Sequence, residues 1–161
     1  MNPALREALA VAVPDLQRHC RDPWTVIGSA AAALAGADVS VADLDVLCSI
    51  RDAEILTALW RDRLDAAYVH AADGDRFRSR FARFRFPGLP LEVMGGLELR
   101  GPQGWQAVQV RERVLVDCGG VAVPVPASVE QVRILESFAR PKDLQRAAQL
   151  RALAASSRPD R

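Results

Sequence analysis

The sequence predicts an α+β domain with a mixed, mainly antiparallel sheet and helices packed mostly on one side of it. Three observations carry that expectation. Residues 24–50 read as strand, tight turn, helix and strand. Residues 52–67 place Leu56, Leu59, Trp60, Leu64 and Ala67 at spacings of three and four, the repeat of an amphipathic helix. Residues 97–125 are rich in Val and broken by Gly101, Gly104 and Gly119-Gly120, as short antiparallel strands are. A chain of 161 residues, half of them hydrophobic, can bury one sizeable core, so a single domain is expected over 1–155 with a flexible tail at 156–161. The net charge of +1 gives no global attraction to nucleic acid or an anionic membrane, so any polyanion must meet a local patch. No apolar run is long enough to span a bilayer, and the first residues lack a secretory apolar segment, which points to a cytoplasmic location. Cys20, Cys48 and Cys118 are scattered without metal-ligand spacing and read as reduced packing residues.

From the N-terminus, Asn2-Pro3 is a helix start, with a capping side chain and proline at the first helical position. Leu5, Leu9 and Ala12 then share a face, and Pro14-Asp15 are expected to restart the helix before Cys20. His19 has no partner at metal-ligand spacing and reads as structural. Trp24 to Ile27 form a short apolar strand, Gly28-Ser29 break it, and Ala30 to Leu34 form a helix stopped by Gly36. A helix start at Gly28-Ser29 offers backbone N–H groups to a phosphate. In the next strand Asp43 and Asp45 point to one face while Leu44 and Val46 point to the other. Two carboxylates on one face need a positive partner, and oxygen ligands of this kind suit Mg²⁺. One stretch thus holds both halves of a metal-nucleotide site.

Gly28-Ser29, the small-residue helix, Gly36 and Asp43-Leu44-Asp45-Val46, in that order, resemble the signature of the DNA polymerase beta-type nucleotidyltransferase superfamily. Its small members include aminoglycoside and lincosamide nucleotidyltransferases and abortive-infection toxins. The resemblance implies a minimal nucleotidyltransferase domain, transfer of a nucleoside monophosphate from an NTP to a hydroxyl, and two Mg²⁺ ions on Asp43 and Asp45.

Further along, Asp52 is placed to cap the amphipathic helix, and His70 falls in a loop with Asp73-Gly74-Asp75. Residues 76–86 form a strand with Arg83 and Arg85 on a basic face and Phe84 and Phe86 on an aromatic one. Such interleaving suits RNA or nucleotide binding, or simply wet arginines over core phenylalanines. After the turn at residues 87–90, Glu92 is a lone acid in an apolar strand. It matches the third metal carboxylate that the resemblance implies, with Glu98 and Asp117 as competitors. The structural alternative pairs Glu92 with Arg83 or Arg85. Ser128 and Gln131 look like a capping box for a helix over 129–138.

Arg140-Pro141-Lys142-Asp143 opens the last helix, and Lys142 is the chain's single lysine among 21 Lys plus Arg. Similar turns close the core of small nucleotidyltransferases, so the resemblance spans 24–153 and implies Lys142 on the triphosphate with Asp143 orienting it. Gly28 and Ser29 would cradle the β- and γ-phosphates. Two other readings stand beside the enzyme: a non-catalytic binding or toxin-antitoxin module, and an enzyme acting on an RNA end through Arg83 and Arg85. A homodimer is open under each.

Overall fold

The computed structural model describes residues 2–68 and 74–157, and every statement below concerns these. The fold is α+β with a mixed, mainly antiparallel sheet, as expected. Helix α1 (Pro3–His19) is capped by Asn2, whose side chain accepts from the N–H groups of Ala4 and Leu5. It runs unbroken through Pro14, contrary to the expected restart. Ala10, whose carbonyl loses its partner at Pro14, lies with that proline on the exposed face, where water can replace the missing bond. Leu5, Leu9, Ala12, Val13 and Leu16 are fully buried on the other face and hold both halves of the helix.

Strand β1 (Thr25–Ile27) leads into helix α2 (Gly28–Leu34), and strand β2 (Leu44–Cys48) returns antiparallel to β1. Helix α3 (Ile50–Leu59) follows. Its cap is Ser49, which accepts from the Asp52 N–H, so the expected cap at Asp52 is corrected. Asp52 is instead wholly buried and accepts from the N–H groups of Arg21 and Asp22, tying the end of α1 to α3. The helix also stops at Leu59 rather than reaching Ala67. Residues 63–65 leave it to dress the edge of strand β3 (Phe77–Phe84), with Asp65 N–H donating to Arg83 and Arg85 N–H to Arg63. Strand edges need such partners, and this one outweighs helical propensity.

Strand β4 (Leu91–Gly101) pairs antiparallel with β3 and parallel with β2, giving the order β1-β2-β4-β3, and strand β5 (Gly104–Ala107) adds to the far end of β4. The β3–β4 register shifts where Arg78 opposes Glu98 but Arg80 opposes Gly95, a bulge with Gly96 at φ 60°. The extra residue moves Leu97 and Leu99 onto the face shared by Met94, where Ile134 and Phe138 cover them. The opposite face, with Val26, Val46 and Val93, packs on α1 and α3.

The Val-rich stretch at 97–125 reads as strands extending one sheet, but strand β6 (Arg113–Cys118) and strand β7 (Val121–Pro126) form a separate hairpin. Pro124 and Pro126 lack the N–H groups a longer ladder needs, and the Thr25 hydroxyl donates to the Pro124 carbonyl instead. Helix α4 (Ser128–Phe138) has no side-chain cap, which corrects the expected capping box. Gln131 is buried and donates to the carbonyls of Ala31 and Pro126, fastening α4 to α2. Helix α5 (Pro141–Ser156) closes the chain, capped at Arg140 by Asp143. His70 and residues 158–161 of the expected tail lie outside the described residues.

Candidate active site

The sheet registers assemble the site. Glu92 on β4 lies opposite Asp45 on β2 and opposite Arg83 on β3, so one row across three strands reads acid, acid, base. Asp43, just before β2, shares the face. Asp43, Asp45 and Glu92 each offer a carboxylate oxygen, all within 4.8 Å of one another. Glu98 and Asp117 do not join them: Glu98 pairs with Arg78 at 2.9 Å, and Asp117 sits on the separate hairpin.

Crowding three acids has electrostatic consequences. Burial, then the charges of Asp43 and Glu92, hold the Asp45 carboxyl well above the usual range, against the pull of Arg146 and Lys142. Its Oδ1 is sealed from solvent and has no hydrogen-bond partner among the described residues. Burial and Asp43 likewise push Glu92 from 4.5 up to about 7, against the pull of Arg83. Gly28 sits against the Asp45 carboxylate at φ 68°, and a Cβ there would come within 2.7 Å of Asp45 Oδ2. Only glycine meets both conditions. An orphaned carboxylate oxygen, a backbone held clear of it and three hard oxygen donors fit a divalent cation such as Mg²⁺.

A cavity of about 460 Å³ opens from the triad, and Gly28, Ser29, Asp43, Asp45, Glu92, Lys142 and Asp143 all line it. The structure thus brings together every residue that the sequence singled out for the site. Asp143, however, is fully buried and its carboxylate is engaged by Arg140, with Nε at 2.6 Å, and by Arg146 at 3.8 Å. Lys142 is exposed at the cavity rim. Sequence reasoning missed Arg146, although its spacing of four from Lys142 puts both cations on one helical face. It also missed the aromatic wall of Tyr68, Phe77, Phe81 and Phe138, which comes from three separate segments.

Arg83 and Arg85 are not the free basic face that the sequence allowed. Arg83 Nη1 donates to Glu92 Oε1 at 3.1 Å and lies 3.7 Å from Asp43, while Arg85 pairs with Asp65 at 3.3 Å. The expected structural alternative, a Glu92–Arg83 pair, is therefore present within the triad itself.

No protein-family model matches the sequence, and no curated protein does. Solved structures do match in fold. A candidate nucleotidyltransferase from Thermotoga maritima is 20% identical with a TM-score of 0.72, over 97% of this chain and 96% of that one. The antibiotic-resistance factor ANT(2'')-Ia is 9% identical at a TM-score of 0.60, over 97% and 88%. The lincosamide antibiotic adenylyltransferase LnuA, solved with lincomycin bound, is 11% identical at 0.56, over 89% and 95%. The chain has the nucleotidyltransferase fold.

Proposed function

We propose that the protein transfers a nucleoside monophosphate from an NTP to a hydroxyl of a small molecule, using Mg²⁺ held by Asp43, Asp45 and Glu92. The observation that carries this reading is the meeting of the acidic triad with Gly28, Ser29, Lys142 and Arg146 in one cavity. Magnesium bound there would supply charge neutralisation for the triphosphate and Lewis acidity at the reacting oxygens. The start of α2, which no side chain caps, presents N–H groups to the β- and γ-phosphates. Lys142 and Arg146 offset the charge that grows on pyrophosphate as the bond to the α-phosphorus breaks. Glu92, at the edge of the triad and within reach of the cavity, takes the proton of the attacking hydroxyl. A small-molecule acceptor is favoured over an RNA end because Arg83 and Arg85 are occupied by acids, and because one fold neighbour is an antibiotic-resistance factor and another a lincosamide antibiotic adenylyltransferase.

The test is pyrophosphate release from each of the four NTPs with Mg²⁺ and a panel of hydroxyl-bearing small molecules. Release should require both acceptor and metal, and Asp45→Asn should slow it about a hundredfold or more, the scale of losing one transition-state charge partner. Release that ignores the metal, or an Asp45→Asn protein as fast as wild type, overturns the reading.

A further inference from the structure

Arg83 stands between two sets of partners. Toward the triad, its Nη1 lies 3.1 Å from Glu92 and 3.7 Å from Asp43, bridging two of the three carboxylates. On the opposite edge of β3, Nε lies 3.9 Å from Asp65, and the guanidinium carbon sits 4.3 Å over the ring of Tyr68, which lines the same cavity as the triad. Asp65 is fixed there because its N–H donates to the Arg83 carbonyl at 2.8 Å. Arg85 also reaches Asp65, but its side chain is 69% exposed and neutralises that carboxylate weakly. A guanidinium and a divalent cation cannot share the same carboxylate oxygens without strong repulsion.

We propose that Arg83 is a tethered counter-ion that takes the place of a divalent cation between Asp43 and Glu92 in the metal-free protein, and withdraws to Asp65 and Tyr68 when the cation binds. The assignment rests on the reading of the triad as a metal site. It accounts for an arginine donated into an acidic cluster, for a second carboxylate held at the other edge of β3, and for an aromatic face against which the guanidinium can stay as it moves. In this arrangement the metal-free triad is spared full mutual repulsion, and metal affinity is set by competition with the protein's own cation. An arginine that merely orients Glu92 for the metal has the opposite signature, since its loss weakens metal binding.

The experiment is Mn²⁺ titration of the nucleotide-free full chain, following free Mn²⁺ by electron paramagnetic resonance. Arg83→Gln should bind Mn²⁺ about five- to tenfold tighter than wild type, because the competitor is gone. Asp65→Asn should bind it weaker by a similar factor, because the withdrawn position is lost. Arg83→Gln should also melt lower than wild type in chelator and gain more from Mn²⁺. If that variant does not fold without metal, Asp65→Asn decides alone. Weaker or unchanged binding by Arg83→Gln, or unchanged or tighter binding by Asp65→Asn, overturns the assignment while leaving the metal site intact. A wild-type protein that binds no Mn²⁺ removes the metal site and this proposal with it.

Discussion

At the scale of single residues, Asp45 and Glu92 are folded into a place that resists their ionisation, and stability must record it. Both carboxyls are raised, Glu92 from 4.5 to about 7. A group whose folded pKa is raised contributes stability that is fully present below its unfolded pKa and is lost as pH rises through the folded value. Asp22 and Glu130 are shifted the other way, so their contributions change only at lower pH. The metal-free protein should therefore melt lower at pH 8 than at pH 5.5, and Glu92→Gln should flatten that slope. Mg²⁺ should raise the melting temperature more at pH 8, where the carboxylates are free to bind it. A melting temperature that rises from pH 5.5 to 8 in chelator contradicts the assigned shifts. Asp43 and Asp45 were legible in the sequence because alternation in a strand fixes their common face. Arg83 was legible only as one of two arginines able to pair with Glu92, since which of them meets the acid depends on the register of the neighbouring strand.

At the scale of elements, the bulge at Gly96 decides which side chains roof the cavity. Without the extra residue, Met94 would be followed on its face by residues 96 and 98, and Leu97 and Leu99 would point the other way. Gly96 adopts φ 60°, and an added Cβ would meet Ile50 Cγ1 at 2.7 Å. Ile50 is 55% exposed and can move, so the backbone conformation should carry most of the cost. Gly96→Ala is expected to lose about 1–2 kcal/mol in denaturant unfolding, the usual penalty of alanine in the left-handed region. The loss should persist in an Ile50→Ala background, and its disappearance there would assign it to the contact instead. The sequence showed the strand but not the bulge, because Gly95-Gly96 is equally compatible with a turn. It likewise showed the helix through Leu56 and Leu59 but neither its cap at Ser49 nor its end, which the needs of the β3 edge determine.

At the scale of the molecule, the α+β class, the strand-turn-helix-strand unit and the last helix with Lys142 were legible because each rests on local pattern. The separate β6–β7 hairpin was not, since its isolation follows from the prolines of β7 and from a side-chain bond, Thr25 to Pro124, in place of a ladder to β1. The cavity too is a product of the whole chain, with Gly28 and Ser29 from α2, Lys142 and Arg146 from α5, its acids from the β2–β4 sheet and Leu135 and Phe138 from α4. The central claim is that this cavity is a metal-nucleotide site, and calorimetric titration with a nonhydrolysable NTP tests it most directly. Wild type should bind the nucleotide with Mg²⁺ at least about tenfold tighter than in chelator, and Asp45→Asn should lose that advantage, about 1.4 kcal/mol. Equal affinities for both proteins, with and without Mg²⁺, would contradict it.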